Sequence, residues 1–247
     1  LIDFHMNDSG VYVTPASRGA SHTSTALARL DENGAASYTF DLEWAPTAPI
    51  EVPETAQIIE AGSISAIIEP GASAVLDALA RGRKHALVFF DPNARPSIMG
   101  EPEAALASLE RFIALADVVK VSDEDIEWLT GGVPIDKVVD RWLGMGPSLV
   151  VVTRGKHGSD VATASGVRFT KTPSDVKVVD TVGAGDSFMG GMIDAMWGMG
   201  LRGADARETL SALPEEQVRA IIDRASAVSD VTVSRKGANP PWAHELS

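Results

Sequence analysis

The stretch Asp180-Thr181-Val182-Gly183-Ala184-Gly185-Asp186 gathers residue types suited to anion chemistry and runs straight into an apolar helical pattern over 187–197. Small residues at three successive positions let the backbone approach a ligand closely and turn several N–H groups the same way, which makes an anion cradle. Opening a helix adds the positive end of the helix dipole, which favours a phosphate at that point. Asp186 would lie beside that phosphate. A carboxylate gains nothing from a neighbouring anion unless it has another task, and accepting the proton of an attacking hydroxyl is such a task. A base for the nucleophile and fixed dipoles for the developing charge together meet the needs of phosphoryl transfer. The plainer alternative is an Asp N-cap behind a glycine turn. The spacing from Asp180-Thr181, and a position just after an expected buried strand at Val176–Val179, favour the chemical reading. No Gly-x-x-x-x-Gly-Lys-Ser/Thr is present, and no Gly-x-Gly-x-x-Gly follows a first strand, so a P-loop is excluded and a dinucleotide site has no support.

Two more loops follow apolar runs. Asp91-Pro92-Asn93-Ala94-Arg95-Pro96 comes after Val88-Phe89-Phe90, and Thr153-Arg154-Gly155-Lys156-His157-Gly158 comes after Leu149 to Val152. From about Ala56 onward, short apolar runs alternate with helical patterns: Ile58-Ile59, 72–80, 86–90, 102–115, 118–121, 123–129, 135–143 and 149–153. That rhythm predicts an α/β fold with a mostly parallel sheet and helices on both faces. In such sheets ligands bind beyond the carboxyl ends of the strands, where all three loops would lie. Before Ala56 the pattern changes. Val11–Val13, Thr25–Leu30 and Ala36–Phe40 read as short extended segments, the last two joined by Asp31-Glu32-Asn33-Gly34 with its hairpin-forming Asn-Gly pair. These form a small β-appendage, and the Pro-rich 46–53 stretch connects it to the rest.

The bulk properties narrow the partners. With 247 residues, 45% of them hydrophobic, the chain can bury a substantial core. A formal net charge of -13 opposes a nucleic-acid partner, since the densest basic stretch is only Arg81, Arg83 and Lys84. There is no cysteine, so disulfides, thiolate nucleophiles and cysteine-ligated metals are excluded. Neither a membrane span nor a signal-peptide pattern is expected, and the default reading is a soluble cytoplasmic protein. The five histidines show no ligand spacing, and Met189, Met192, Met196 and Met199 fall at helical spacing that suits core packing.

Asp180-Thr181-Val182-Gly183-Ala184-Gly185-Asp186-Ser187-Phe188, with Gly190-Gly191 following, resembles the carboxy-terminal signature of the PfkB (ribokinase-like) carbohydrate kinases. Asp91-Pro92-Asn93-x-Arg95-Pro96 resembles a loop of the fructokinase and 2-keto-3-deoxygluconate kinase branches. Thr153-x-Gly155-x-x-Gly158 resembles a nucleotide-side loop, and Ser234-Arg235-Lys236-Gly237-Ala238 the closing segment beside the nucleotide. The resemblance runs from about Ala56 to the C-terminus, and 23–44 resembles half of the family's β-lid. It implies a ribokinase-like fold, with residues 1–6 as the first strand of the main domain, 7–50 as an incomplete β-lid and 51–247 as the α/β kinase domain. By position, Asp186 would be the base, with the amides of Gly183, Ala184 and Gly185 as the anion hole. Asp3, Asn93 and Arg95 would bind substrate, and Thr153, Gly155 and Gly158 would line the nucleotide pocket. Potassium would lie near Asp180, Val182, Thr232, Arg235 and Gly237, mostly on backbone carbonyls, although Pro241 stands where the family often has a Ser ligand. Magnesium would accompany ATP, with Glu124 or Asp125 as a contact through water. Against that last assignment, Ser122-Asp123-Glu124-Asp125 also reads as a capped helix start.

The implied reaction is ATP-dependent phosphorylation of a small sugar, fructose first and 2-keto-3-deoxygluconate second. A nucleoside kinase on the same fold, or a non-catalytic ligand-binding relative, are the alternatives. Lid strands in this fold can pair between subunits, which implies a homodimer. The sequence departs from the family after residue 6, where Leu1-Ile2-Asp3-Phe4-His5-Met6 runs directly into Asn7-Asp8-Ser9-Gly10 and no Gly-Gly occurs before Gly131-Gly132. About 50 residues are expected there for a domain of this kind, and our expectation is that the sequence joins segments of a longer protein; an intact mass near 26.0 kDa would refute this.

Overall fold

Short apolar runs bounded by turn signals build one six-stranded sheet, and the amphipathic stretches between them cover both of its faces. The computed structural model describes residues 2–30 and 36–246. In chain order these hold α1 (Ile2–Asp8), β1 (Thr25–Leu30), β2 (Ala36–Asp41), β3 (Ile58–Gly62), α2 (Gly71–Gly82), β4 (Leu87–Asp91), α3 (Pro96–Met99), α4 (Pro102–Ile113), β5 (Val118–Ser122), α5 (Asp123–Thr130) and α6 (Ile135–Leu143). There follow β6 (Leu149–Thr153), β7 (Ser159–Thr163), β8 (Arg168–Lys171), α7 (Ala184–Gly198), α8 (Ala206–Ser211) and α9 (Glu215–Val233).

The large sheet has the order β3-β4-β5-β6-β7-β8. Its first four strands are parallel, and the last two pairings are antiparallel. The change of direction has a local cause: only five residues join β6 to β7, too few for the crossover that a parallel partner requires. Because strands β4 to β6 are covered on both faces, they are apolar almost throughout rather than alternating. On one face Val88, Phe90, Val119, Val121, Val150 and Val152 meet Leu79, Leu109, Phe112, Ile126 and Trp142 from α2, α4, α5 and α6. On the other, Leu87, Phe89, Val118, Leu149 and Val151 meet Met189, Met192 and Met196 of α7 and Val218, Ile221, Ile222 and Ala225 of α9. Three of the four methionines are thus core, whereas Met199 at the end of α7 is exposed.

The extended pair Thr25–Leu30 and Ala36–Asp41 forms an antiparallel two-stranded sheet with Thr25 opposite Asp41; the Asn33-Gly34 turn lies outside the described residues. Val11–Val13 is not a strand, and Val11 and Tyr12 are exposed. Residues 2–6, expected as the first strand, are helical instead. An isolated extended segment would leave its N–H and C=O groups without a ladder, whereas a helix satisfies its own. Val176–Val179 is also not a strand: Val178 and Val179 are exposed, and the segment is held by the Val179 N–H donating to the Val233 carbonyl at 2.8 Å.

The start of α5 ties the sheet to one of the loops. Ser122 Oγ accepts the Asp125 N–H at 3.0 Å and Asp125 Oδ2 accepts the Ser122 N–H at 3.3 Å, a capping box, while Asp125 Oδ1 accepts the Ala94 N–H at 3.0 Å. Ser122→Ala removes one of these bonds and is expected to cost about 1 kcal/mol, read as a fall in Tm of about 2–4 °C for a chain of this size. No helix among the described residues is long and apolar enough to cross a membrane.

Candidate active site

The carboxyl ends of β3, β4 and β5 converge under the first turn of α7, and charged side chains stand where the flanking residues are apolar. Asp91 ends β4 and is only 4% exposed; its Oδ2 accepts from Lys120 Nζ of β5 at 2.7 Å, while its Oδ1 has no partner. Burial pushes the Asp91 carboxyl up; the adjacent Lys120 ammonium opposes this, and the Asp125 and Asp186 charges add to it. Lys120 Nζ also reaches the anion turn, lying 2.8 Å from where a Cβ on Gly185 would be. Two strands away from Lys120, Glu60 of β3 faces the same cleft as Asp91 and Asp186.

Asn93 adopts a positive φ of 37°, which an Asn tolerates better than most residues. Its carbonyl accepts from Ser63 Oγ at 3.1 Å, and its side chain lines the cleft. Arg95 does not enter that cleft. Its Nη1 folds back on the loop and donates to Asn93 Oδ1 at 2.7 Å and to the Ala94 carbonyl at 2.9 Å, so it fixes the loop shape from outside.

The anion turn opens α7. Gly183 stands at φ 79°, a left-handed conformation suited to glycine. No side chain caps this helix start, and first-turn N–H groups have no partner within the helix. The Ala184 N–H, however, already donates to the Thr181 carbonyl at 3.2 Å, which leaves the flanking amides as the better anion donors. Asp186 is exposed in this first turn and borders a cleft of about 450 Å³ together with Glu60, Asp91 and Asn93. Behind the turn lies a second cleft of about 480 Å³ that Ala184 and Gly185 share with Thr153, Gly155, Gly158 and Phe188. Gly158 is required in that wall: at φ 87° an added Cβ would stand 1.9 Å from the Lys171 carbonyl oxygen. One small-residue turn therefore separates an acidic cleft from a larger one lined by loops and apolar side chains.

The residues expected around potassium also come together. Asp180 Oδ1 accepts the Val182 N–H at 3.0 Å and Oδ2 accepts the Gly237 N–H at 2.9 Å, and these bonds hold its carboxyl below the usual range. The Thr232 carbonyl accepts the Arg235 N–H at 3.1 Å, and the Arg235 side chain pairs with Glu245 at 2.6 Å. Asp180 thus acts as a clasp between the loop before α7 and the segment after α9. Asp3 is not in the site: it lies in α1, exposed and paired with Arg18 at 2.5 Å. Glu124 lines neither cleft and is exposed on the first turn of α5, where Asp125 takes the inward position. Among the described residues no group of three or more His, Asp or Glu side chains is placed to hold a metal ion.

Residues 2–245 match the family model described as pfkB family carbohydrate kinase. The chain is 34% identical over 171 residues to the fructokinase of Rhizobium leguminosarum bv. trifolii, a match covering 66% of this chain and 52% of that protein. It spans about half the length of the curated relatives it matches. Among solved structures it is similar to the fructokinase of Vibrio cholerae O395 in its fructose-, ADP- and calcium-bound form, with TM-score 0.72, 28% identity, and coverage of 96% of this chain and 76% of that one. It is also similar to the aminoimidazole riboside kinase of Salmonella enterica complexed with aminoimidazole riboside and an ATP analogue, with TM-score 0.75, 26% identity, and coverage of 99% and 79%. By this match over nearly its whole length, the chain belongs to the pfkB family of carbohydrate kinases.

Proposed function

We propose that this protein transfers the γ-phosphoryl group of ATP to a hydroxyl of a small sugar, with fructose as the first acceptor and 2-keto-3-deoxygluconate as the second. The observation that carries this reading is the position of Asp186, at the rim of the acidic cleft and one residue beyond the turn that bounds the other cleft. The acceptor lies in the first cleft beside Asn93, and the nucleotide in the second against Thr153, Gly155 and Gly158. The acceptor oxygen attacks the γ-phosphorus, its proton passes to Asp186, and the bond from that phosphorus to the ADP oxygen breaks. The amides around Gly183 and Gly185 meet the charge that develops on the transferred group. Magnesium, carried on the phosphates, masks their charge when bound. The clasped loops at 180–182 and 232–237 suit a potassium ion held on main-chain carbonyls, since the Asp180 carboxyl is already engaged with N–H groups.

Residues 7–50 serve in this reading as a lid over the kinase domain at 51–247, able to pair with a second copy in a homodimer, and the setting is the cytoplasm. A riboside acceptor is the second reading, supported by the likeness to the Salmonella riboside kinase. A coupled ADP-release assay across neutral sugars, sugar acids and ribosides separates the two. Magnesium-dependent ADP release with fructose is expected, and silence with every sugar would overturn the proposal.

A further inference from the structure

The cleft beside Asp186 has an unusual wall for a site that receives polar solutes. Its described lining includes three carboxylates, Glu60, Asp91 and Asp186, and no lysine, arginine or histidine. The nearby cation, Lys120, is spent on Asp91 at 2.7 Å. Arg95, whose type suits a carboxylate, is folded back onto Asn93 and Ala94. Of the three acids, Asp186 is assigned to proton transfer and Asp91 to the buried pair. Glu60 has no such task. It projects from β3, the edge strand of the sheet, into the cleft that Asp186 borders.

We infer that Glu60 is a specificity-determining residue: its carboxylate, backed by Asp91, repels acceptors that carry a carboxylate or a phosphate and reserves the cleft for uncharged polyhydroxy ketones. The inference rests on the kinase reading above and deepens it, because it ranks the two candidate acceptors. A neutral ketose can offer its hydroxyls as donors to Glu60, and a sugar acid brings a like charge into a cleft whose described lining holds no free cation to offset it.

The same wall makes the selectivity depend on pH. Glu60 is solvent-exposed at the cleft rim, yet the protein crowded around it partly desolvates its carboxyl, and with the Asp91 and Asp186 charges adding and Lys120 opposing this pushes it up to about 7. Those three groups come from β4, α7 and β5, while α2 presents only Val75, Ala78 and Leu79 to the cleft. The direction follows from two like charges facing one engaged cation. Glu60 is therefore charged above that pH and neutral below it, so the exclusion weakens as pH falls.

The test measures Kd for D-fructose and for 2-keto-3-deoxygluconate by calorimetry on the wild-type chain and on Glu60→Gln, with turnover recorded in parallel. The wild type is expected to bind the neutral sugar more tightly, and Glu60→Gln to narrow the gap by about tenfold, a Coulomb effect intermediate between bulk water and a protein surface. In the wild type the gap should also narrow on lowering pH from 8 to 6, and in Glu60→Gln this pH dependence should weaken, Asp91 and Asp186 remaining in the cleft. Equal binding of both sugars by the wild type, or a gap unchanged in Glu60→Gln, overturns the inference. Discriminated binding without phosphoryl transfer supports Glu60 in this role and sinks the kinase reading alone, so the two fail separately.

Discussion

Asp186→Asn is expected to lower turnover roughly 10²–10⁴-fold, the usual worth of a positioned general base, while leaving ATP binding in place. The amide keeps the size and hydrogen-bonding shape of the acid but cannot take the proton released as the acceptor oxygen attacks. The nucleotide cleft is bounded by Ala184 and Gly185 rather than by the Asp186 carboxyl, so its affinity should hold. Removing a negative charge beside the γ-phosphate would tighten ATP binding if it changes it at all. The measurement is kcat by coupled ADP release together with nucleotide affinity by calorimetry. Turnover equal to the wild type would discard the mechanism, and loss of ATP binding would show that Asp186 supports the turn rather than the chemistry.

The second large effect is on stability. Lys120→Met is expected to destabilise the fold by about 3–5 kcal/mol, because cutting one partner from a buried ion pair leaves the other charge uncompensated. Asp91 and Lys120 are both nearly inaccessible, and Asp91 Oδ1 lacks a partner even with Lys120 present. The sign with pH follows from the same burial. The Asp91 pKa is already raised in the folded state, and without Lys120 nothing in the pair opposes burial, so it rises further. A raised carboxyl favours the folded state when protonated, and that advantage is lost as pH climbs through the folded pKa. The deficit of Lys120→Met should therefore be smaller in urea melts at pH 5 than at pH 8. Adding Asp91→Asn should recover part of it at pH 8. A urea midpoint unchanged at pH 8 would mean that water reaches the pair and that the buried-charge account is wrong.

How much of this was legible in the sequence differs by element. The strands at 87–91, 118–122 and 149–153 and the helices between them follow from apolar runs long enough to need burial on both faces, and the structure places them where those runs end. Residues 2–6 misled because the resemblance placed a first strand there, and 176–179 because a short apolar run does not by itself say that a neighbouring strand exists; in both places the ladder is missing and the backbone finds other partners. The reversal at β7 and β8 was hidden because Ser159–Thr163 and Arg168–Lys171 are short and largely polar and do not stand out as strands; once β7 is known, the five-residue link from β6 dictates its direction. In the site, Asp186, the glycine turn and the Thr153–Gly158 loop could be located, since their chemistry is local in sequence. The acidic wall could not, because it depends on register between strands. Lys120 within Val118-Val119-Lys120-Val121 and Glu60 within Ile58-Ile59-Glu60-Ala61 did carry a usable signal. A charge set in a buried strand needs a partner, and Lys120 implied one, Asp91, that only the sheet order could name, whereas Glu60 stands exposed at the cleft rim. Arg95 shows the reverse: its type and position suggested a ligand contact, but the nearest acceptors were in its own loop.

The clasp formed by Asp180 has a practical reach. The Val179 and Asp180 amides rest on the Val233 carbonyl, and the Asp180 side chain grips Gly237. The reacting end of α7 is therefore moored to residues more than 45 positions downstream. Substitutions that loosen the 233–237 segment should therefore disturb catalysis before they disturb folding.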